Sequence, residues 1–275
     1  MSPEAIDRRV PSTRIILALR GFFATMRMAA VVPRSDVLVL AATVGLRLLQ
    51  FGVFVGIWRS LPPEQLEASG VSVPSLLTYT AVSQAFGTLL NPKTTLTDHL
   101  ASGSVSVRML WPMGVVSQFV SEMLGSVLPV TAISVAALAV VAPLIGVPLA
   151  PAGHPVLFLV SLVLAMIVGV AVDFWFALLM VQLGNSIWFV NEVRAASTSI
   201  ISGALIPLNL MPWHIGHVLQ LLPFAAMAFG PLRIYTQPEG AVPTLASQAI
   251  WAVVLWVGLA WWARKSRDKV VGLGG

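Results

Sequence analysis

The sequence predicts an all-α integral membrane protein of six transmembrane helices. Three observations predict it. The 275 residues are 57% hydrophobic and only 10% charged, where a soluble domain carries about 25% charge. Apolar runs of roughly the 20 residues that a bilayer crossing needs recur along the chain. No polar stretch between them is long enough to be a separate domain. Lipid, not water, must solvate most of such a chain.

The first run covers residues 37–58, with Asp36 placed to cap it. The second, 75–90, is short and rich in Thr and Ser. The third, 125–147, reads as the end of a longer helix that begins near Met113. The fourth is 156–183, the fifth roughly 186–207 and the sixth 243–262. A segment of residues 1–35 precedes this bundle of 36–263, and a basic tail, 264–275, follows it. No internal repeat or low-complexity tract interrupts the pattern, so the whole chain reads as one domain.

The segment before the first run differs from the rest. Ile15, Ile16, Leu19, Phe22, Phe23 and Met26 recur at helical spacing, while Arg20, Arg27 and Arg34 lie seven apart on another face. A helix with an apolar stripe and an arginine face lies in the membrane surface rather than across it. Arginines inside the apolar stretch argue against a cleaved signal peptide.

Lys and Arg in short loops set orientation. With the N-terminus inside, the inner side holds Arg8, Arg9, Arg14, Arg20, Arg27, Arg34, Lys93, Arg108, Arg194, Arg264, Lys265, Arg267 and Lys269. Only Arg59 and Arg233 fall outside, with Arg47 inside a span. Both termini are therefore expected in the cytoplasm. The net charge of +5 is accounted for by this bias toward the inner membrane surface, without nucleic acid as a partner. The outer connection 209–242 contains the apolar stretches 218–222 and 224–229 broken by Pro223, which suggests two short helices dipping back into the membrane. Non-helical backbone at that depth is tolerated only against protein.

Several chemistries are excluded. There is no cysteine and no Gly-Lys pair, so thiol chemistry and the phosphate-binding loop of an ATPase are absent. His214 and His217 form an HxxH pair with no third ligand beside it, and no HExxH or GxSxG occurs. No cofactor or metal is expected on this chain. Two charges stand inside spans, Arg47 in the first and Asp173 in the fourth. Either they pair or line a substrate path, or Arg47 snorkels and Asp173 meets water at the inner end. Glu192 and Arg194 are expected at the interface. Gly52 and Gly56 form a GxxxG that allows a close helix–helix contact.

Several stretches resemble the ABC-2 family, the transmembrane subunits of bacterial ABC exporters. They are TDHLASGSVSVRMLWP at 97–112, SGALIPLNLMP at 202–212, QLLPF at 220–224 and the basic tail ending GLGG. The resemblance implies an elbow helix over 12–28, a cytoplasmic coupling helix over about 93–109 and a re-entrant helical hairpin over about 213–234. It implies a dimer, with a second copy or a homologous permease as the other half, bound to two ATPase subunits that hold ATP and Mg. Asp98, Leu100, Ser102, Gly103 and Arg108 would then touch the ATPase. The expected function is export of a hydrophobic or amphipathic molecule, such as a drug, natural product or lipid-like compound, across the bacterial inner membrane. The competing readings are a secondary transporter and a membrane-embedded enzyme or scaffold. A secondary transporter often shows repeats and helices broken at mid-membrane, and the sequence shows a strong break only in the outer connection.

Overall fold

The computed structural model describes residues 11–62, 71–183, 187–212, 215–237 and 239–265, and among them every regular element is helical. The helices are α1 (Pro11–Ala29), α2 (Val37–Ser60), α3 (Val73–Leu90), α4 (Leu96–Ala101), α5 (Val105–Arg108), α6 (Val115–Leu144), α7 (Pro155–Gln182), α8 (Ile187–Ile201), α9 (Ile215–Gln220), α10 (Pro223–Met227), α11 (Phe229–Thr236) and α12 (Ala241–Lys265). Single 3-10 turns add Arg34–Asp36 and Leu208–Leu210.

Four helices are long and apolar enough to cross a membrane: Arg34–Ser60, Val115–Leu144, Pro155–Gln182 and Ala241–Trp262. They mark the chain as membrane-embedded, and they are the first, third, fourth and sixth runs of the sequence. α2 and α12 leave most of their apolar side chains exposed, whereas α7 buries half of its apolar core stretch. Asp36 precedes α2, but its side chain caps nothing; its Oδ1 accepts from Ser35 Oγ instead.

The second and fifth runs differ from the other four for a physical reason. α3 is less apolar because protein surrounds it: every residue from Leu76 to Ala85 is buried, between α2, α6, α7 and α11. Its hydroxyls have partners. Trp58 Nε1 donates to Thr80 Oγ1 at 2.9 Å, and Thr88 and Thr131 hydroxyls meet at 2.7 Å. A Ser72 N-cap, accepting from the Ser75 N–H, and a proline in the first turn start this helix.

The fifth run ends early. α8 has 15 residues, about 22 Å at 1.5 Å per residue, short of the roughly 30 Å hydrocarbon core. Gly203 stops it with φ of +76°, a left-handed conformation that side-chain-bearing residues avoid. Beyond it the backbone carbonyls would be orphaned, and α3 supplies the donors. Tyr79 Oη donates to Gly203 O at 2.6 Å and Ser83 Oγ to Ala204 O at 2.5 Å. The break expected only in the outer connection thus also occurs at the end of α8. Tyr79→Phe and Ser83→Ala each leave one buried carbonyl without its side-chain donor, so each is expected to lower stability by about 1–3 kcal/mol. The thermal unfolding midpoint of the purified chain in detergent checks this, and Thr43→Ala, on the exposed face of α2, serves as the neutral comparison.

The connection 209–242, where the sequence suggests two short helices, holds three among the described residues, α9, α10 and α11. Pro223 opens α10, and Ala225, Ala226, Met227, Leu232 and Ile234 are buried against α7 and α12. Gln248 of α12 donates to Ala226 O at 2.8 Å, and Phe229 N–H to Ser202 O at 3.0 Å. At the midpoint of α7, Pro92 and Met227 both close on Gly169; a Cβ there would stand 2.5 Å from Pro92 Cγ and 3.3 Å from Met227 Cε. The connections from the two ends of the bundle therefore approach one another halfway along α7.

α1 lies along α6. Gly125 permits the contact, since a Cβ at that position would stand 2.2 Å from Met26 O. Ile16, Leu19 and Phe23 remain exposed on α1, as do Arg20 and Arg27. At its far end α6 closes on Gly146, and Arg59 Nη2 donates to Ile145 O and Gly146 O at 2.9 and 3.0 Å. A cation on the last carbonyls of a helix opposes their partial negative charge, and here it joins the end of α2 to the end of α6.

Candidate functional site

The densest polar structure lies where the chain leaves α3 and enters α4. Residues 91–95 are not helical, yet Pro92 and Thr94 are buried among α7 and α8. Buried backbone groups need partners, and two charged side chains provide them. Asp173 Oδ2 of α7 accepts from the Thr94 N–H at 2.9 Å and from Thr94 Oγ1 at 2.5 Å. Arg194 of α8 donates through Nη2 to Pro92 O at 2.6 Å and to Asn91 Oδ1 at 3.1 Å. Arg194 Nε and Asp173 Oδ1 form an ion pair at 3.0 Å, without the alignment of a hydrogen bond. Asn91 Nδ2 completes the network by donating to Thr198 Oγ1 at 3.2 Å. Asp173 is 1% exposed and Arg194 6%, so neither meets water.

This arrangement corrects the sequence reading of the intramembrane charges. Asp173 pairs with Arg194 and not with Arg47, and Arg194 is buried rather than interfacial. Among the described residues Arg47 pairs with no carboxylate, and it does not run free to the surface; its Nη1 donates to Gln84 O of α3 at 3.0 Å, with the guanidinium lying against Gly87. Glu192 is exposed.

A second cluster sits on α4, α5 and the start of α6. Arg108 Nη1 reaches Glu122 Oε1 of α6 at 2.5 Å, and its guanidinium stacks 4.8 Å from the Phe119 ring centre. Arg108 Nη2 donates to His99 Nε2 at 2.9 Å. Because arginine accepts no hydrogen bond, His99 must carry its proton on Nδ1, which donates to Ser104 Oγ at 2.5 Å. Gln118 Nε2 holds the backbone from within by donating to Arg108 O and Met113 O. Glu122 is the partner the sequence reading missed. A lone acid in the second turn of a helix otherwise without charge is the signal that marks it.

The five residues singled out in this segment occupy different places. Asp98 and Ser102 are exposed. Leu100 is buried against Ala177, Met180 and Val190, so its side chain anchors the segment instead of facing out. Gly103 turns the chain between α4 and α5 with φ of +71°. Arg108 is spent on Glu122 and His99. The exposed tip is instead made by Val107, Met109, Leu110 and Trp111, with Leu110 84% exposed.

Burial, then the Arg108 charge, lowers the His99 pKa, against smaller raising effects from Glu122 and Asp98. A depressed folded-state pKa means the neutral ring is favoured by folding. Its contribution is complete above the ordinary value of about 6.5 and is lost as pH falls through the lower folded value. Amide protection over residues 96–110, corrected for the intrinsic exchange rate at each pH, is therefore expected to fall between about pH 7.5 and pH 5.5, and His99→Gln is expected to flatten that change. Wild-type protection factors that do not fall with pH would contradict the assignment.

Among the described residues, a Cβ added at Gly45, Gly52 or Gly56 meets open space. The buried face of α2 is Val44, Phe51, Val55 and Trp58, and at about 100° per residue the glycines line an uncovered flank beside it. His217 borders a cavity at the Arg59 end, whereas His214 and the tail cations beyond Lys265 lie outside the described residues. Between α4, α6, α7 and α12 a cleft of about 300 Å³ is walled by Leu96, Val115, Phe119, Phe174, Trp256 and Leu259. No family model, no curated protein and no solved structure matches this chain.

Proposed function

We propose that this chain is the membrane permease of an ATP-driven exporter in the bacterial inner membrane, with both termini cytoplasmic and ATP hydrolysed, with Mg, on separate ATPase subunits. One observation carries the reading. The apolar tip Val107–Met109–Leu110–Trp111 stands out from a segment clasped to three helices: to α6 by Arg108–Glu122, and to α7 and α8 by Thr94–Asp173–Arg194. Exposed apolar side chains on a polar segment ask for a protein partner. A segment tied to three helices passes a push at the tip into the bundle. Asp98, Ser102 and the tip then form the ATPase contact, with Leu100, Gly103 and Arg108 shaping it.

Six passes follow in this reading, with α3 and the interrupted α8 crossing inside protein. α1 is the elbow, and α10–α11 are the re-entrant pair. The open glycine face of α2 receives a second permease copy or a homologous permease, as small residues favour close helix contact in lipid. The apolar cleft beside α4 favours a hydrophobic or amphipathic cargo.

The break at Gly203 favours a second reading, a secondary transporter with an ion held at a broken helix. The carbonyls at that break already accept from Tyr79 and Ser83, which leaves the ion little to coordinate. Co-purification with a candidate ATPase in nanodiscs tests the choice. A stable complex whose ATP hydrolysis rises with hydrophobic cargo supports the exporter. Solute movement by the chain alone, driven by an ion gradient, would replace it with the second reading.

A further inference from the structure

The Arg59 end of the molecule is hollow. A cavity of about 200 Å³ lies between α3, α9 and α11, and an adjoining one of about 210 Å³ shares Gln220, Phe229 and Arg233 with it. Arg233 of α11 stands at their junction. Among the described residues its guanidinium makes no hydrogen bond, and the ion pairs there are Arg108–Glu122 and Arg194–Asp173. Among the described residues no carboxylate lines either cavity, although Glu239 is close in sequence and stays exposed.

Every other arginine that enters the helical bundle of this molecule is engaged. Arg47 donates to a carbonyl of α3, Arg59 to the carbonyls just past α6, and Arg108 and Arg194 hold carboxylates. An unpaired, half-buried guanidinium facing two cavities is the exception. Polar groups gather beside it: Asn209, His217, Gln220 and Gln237 line the first cavity. The opposite wall is apolar, made by Val71, Leu76 and Phe229. The volume is below the roughly 300–1,000 Å³ that encloses a drug-sized ligand, but it accommodates a headgroup. A planar fork of donors without a partner matches the oxygens of a phosphate or carboxylate.

We propose that Arg233, with Gln220, forms a binding site for the anionic headgroup of an amphipathic molecule, a phosphate or carboxylate borne on an apolar chain. The headgroup oxygens take the guanidinium donors and the Gln220 amide, and the chain leaves along the apolar wall. The site needs no ATP and no partner subunit, so it stands apart from the transport reading.

The test uses the full chain in phosphatidylcholine nanodiscs, titrated calorimetrically against empty discs. Dodecyl phosphate is expected to bind saturably, and Arg233→Gln to weaken it by about tenfold or more, as loss of a charge-assisted bond requires. Gln220→Leu, which removes neutral donors only, is expected to weaken it by about fivefold. Arg233→Lys is expected to keep part of the affinity. Phosphatidylglycerol in the discs distinguishes the sources. Competition by it assigns the site to a lipid headgroup and its absence to another amphipathic anion, whereas equal binding of inorganic phosphate would overturn the role given to the apolar chain. Equal affinity in a monodisperse Arg233→Gln protein, equal binding of the neutral dodecyl maltoside, or no saturable component would overturn it.

Discussion

Asp173→Ala is expected to lower stability by about 3–5 kcal/mol, because it leaves the Arg194 guanidinium buried without its counter-charge. Arg194→Met is expected to act similarly from the other side. The informative variant is the double one, Asp173→Leu with Arg194→Met. A simple buried ion pair is often replaced by apolar residues at no loss, since two desolvation penalties vanish together. Here the two side chains also serve the backbone. Asp173 holds the Thr94 N–H and Arg194 holds Pro92 O, and the double variant orphans both at about 1–3 kcal/mol each. The double variant is therefore expected to remain well below wild type in its unfolding midpoint, measured in detergent by tryptophan fluorescence. Recovery to wild-type stability would show that charge pairing alone matters at this site.

The same logic covers the other polar residues inside the bundle. Tyr79 and Ser83 satisfy the carbonyls beyond α8, and Gln248 satisfies Ala226 O below α10. Each polar side chain stands opposite a place where the helix stops at depth, where neither water nor a neighbouring turn can pair the backbone. Polar residues and broken helices in this chain are two halves of one device.

That device explains what could be read from the sequence. α2, α6, α7 and α12 were legible because long apolar runs face lipid over much of their length. α3 gave a weaker signal because its environment is protein, and its Thr and Ser are chosen by partners that lie far along the chain. The end of α8 had a local signal, Ser202–Gly203 followed by Pro207, of the kind that punctuates helices. The partner of Asp173 had none. Arg47 and Arg194 are equally available cations in a one-dimensional reading, and only the packing of α8 against α7 selects between them. In the segment after α3, residue type marked the place but not the direction: Leu100 turns inward while Leu110 turns out.

Arg108→Glu is the change expected to affect function most. It sets a second carboxylate where the guanidinium met Glu122 at 2.5 Å, and it removes the stacking on Phe119 and the bond to His99. The side chains are 15% and 26% exposed, so solvent screens part of the effect, and about 1–3 kcal/mol of local stability is a reasonable scale. That loss falls on the attachment of α5 to α6 and not on the bundle, whose own contacts are intact. Amide exchange over 96–110 is therefore expected to rise while α7 and α12 stay protected. Under the exporter reading proposed above, the same variant is expected to keep ATP hydrolysis by the complex and lose cargo movement, because the tip would still meet its partner but no longer pull on α6. Glu122→Arg added to Arg108→Glu reverses the charges and is expected to restore part of both readouts. The two readouts separate the claims. Faster exchange with normal transport would keep the clasp as a structural feature and remove it from the mechanism, while unchanged exchange would refute the clasp itself.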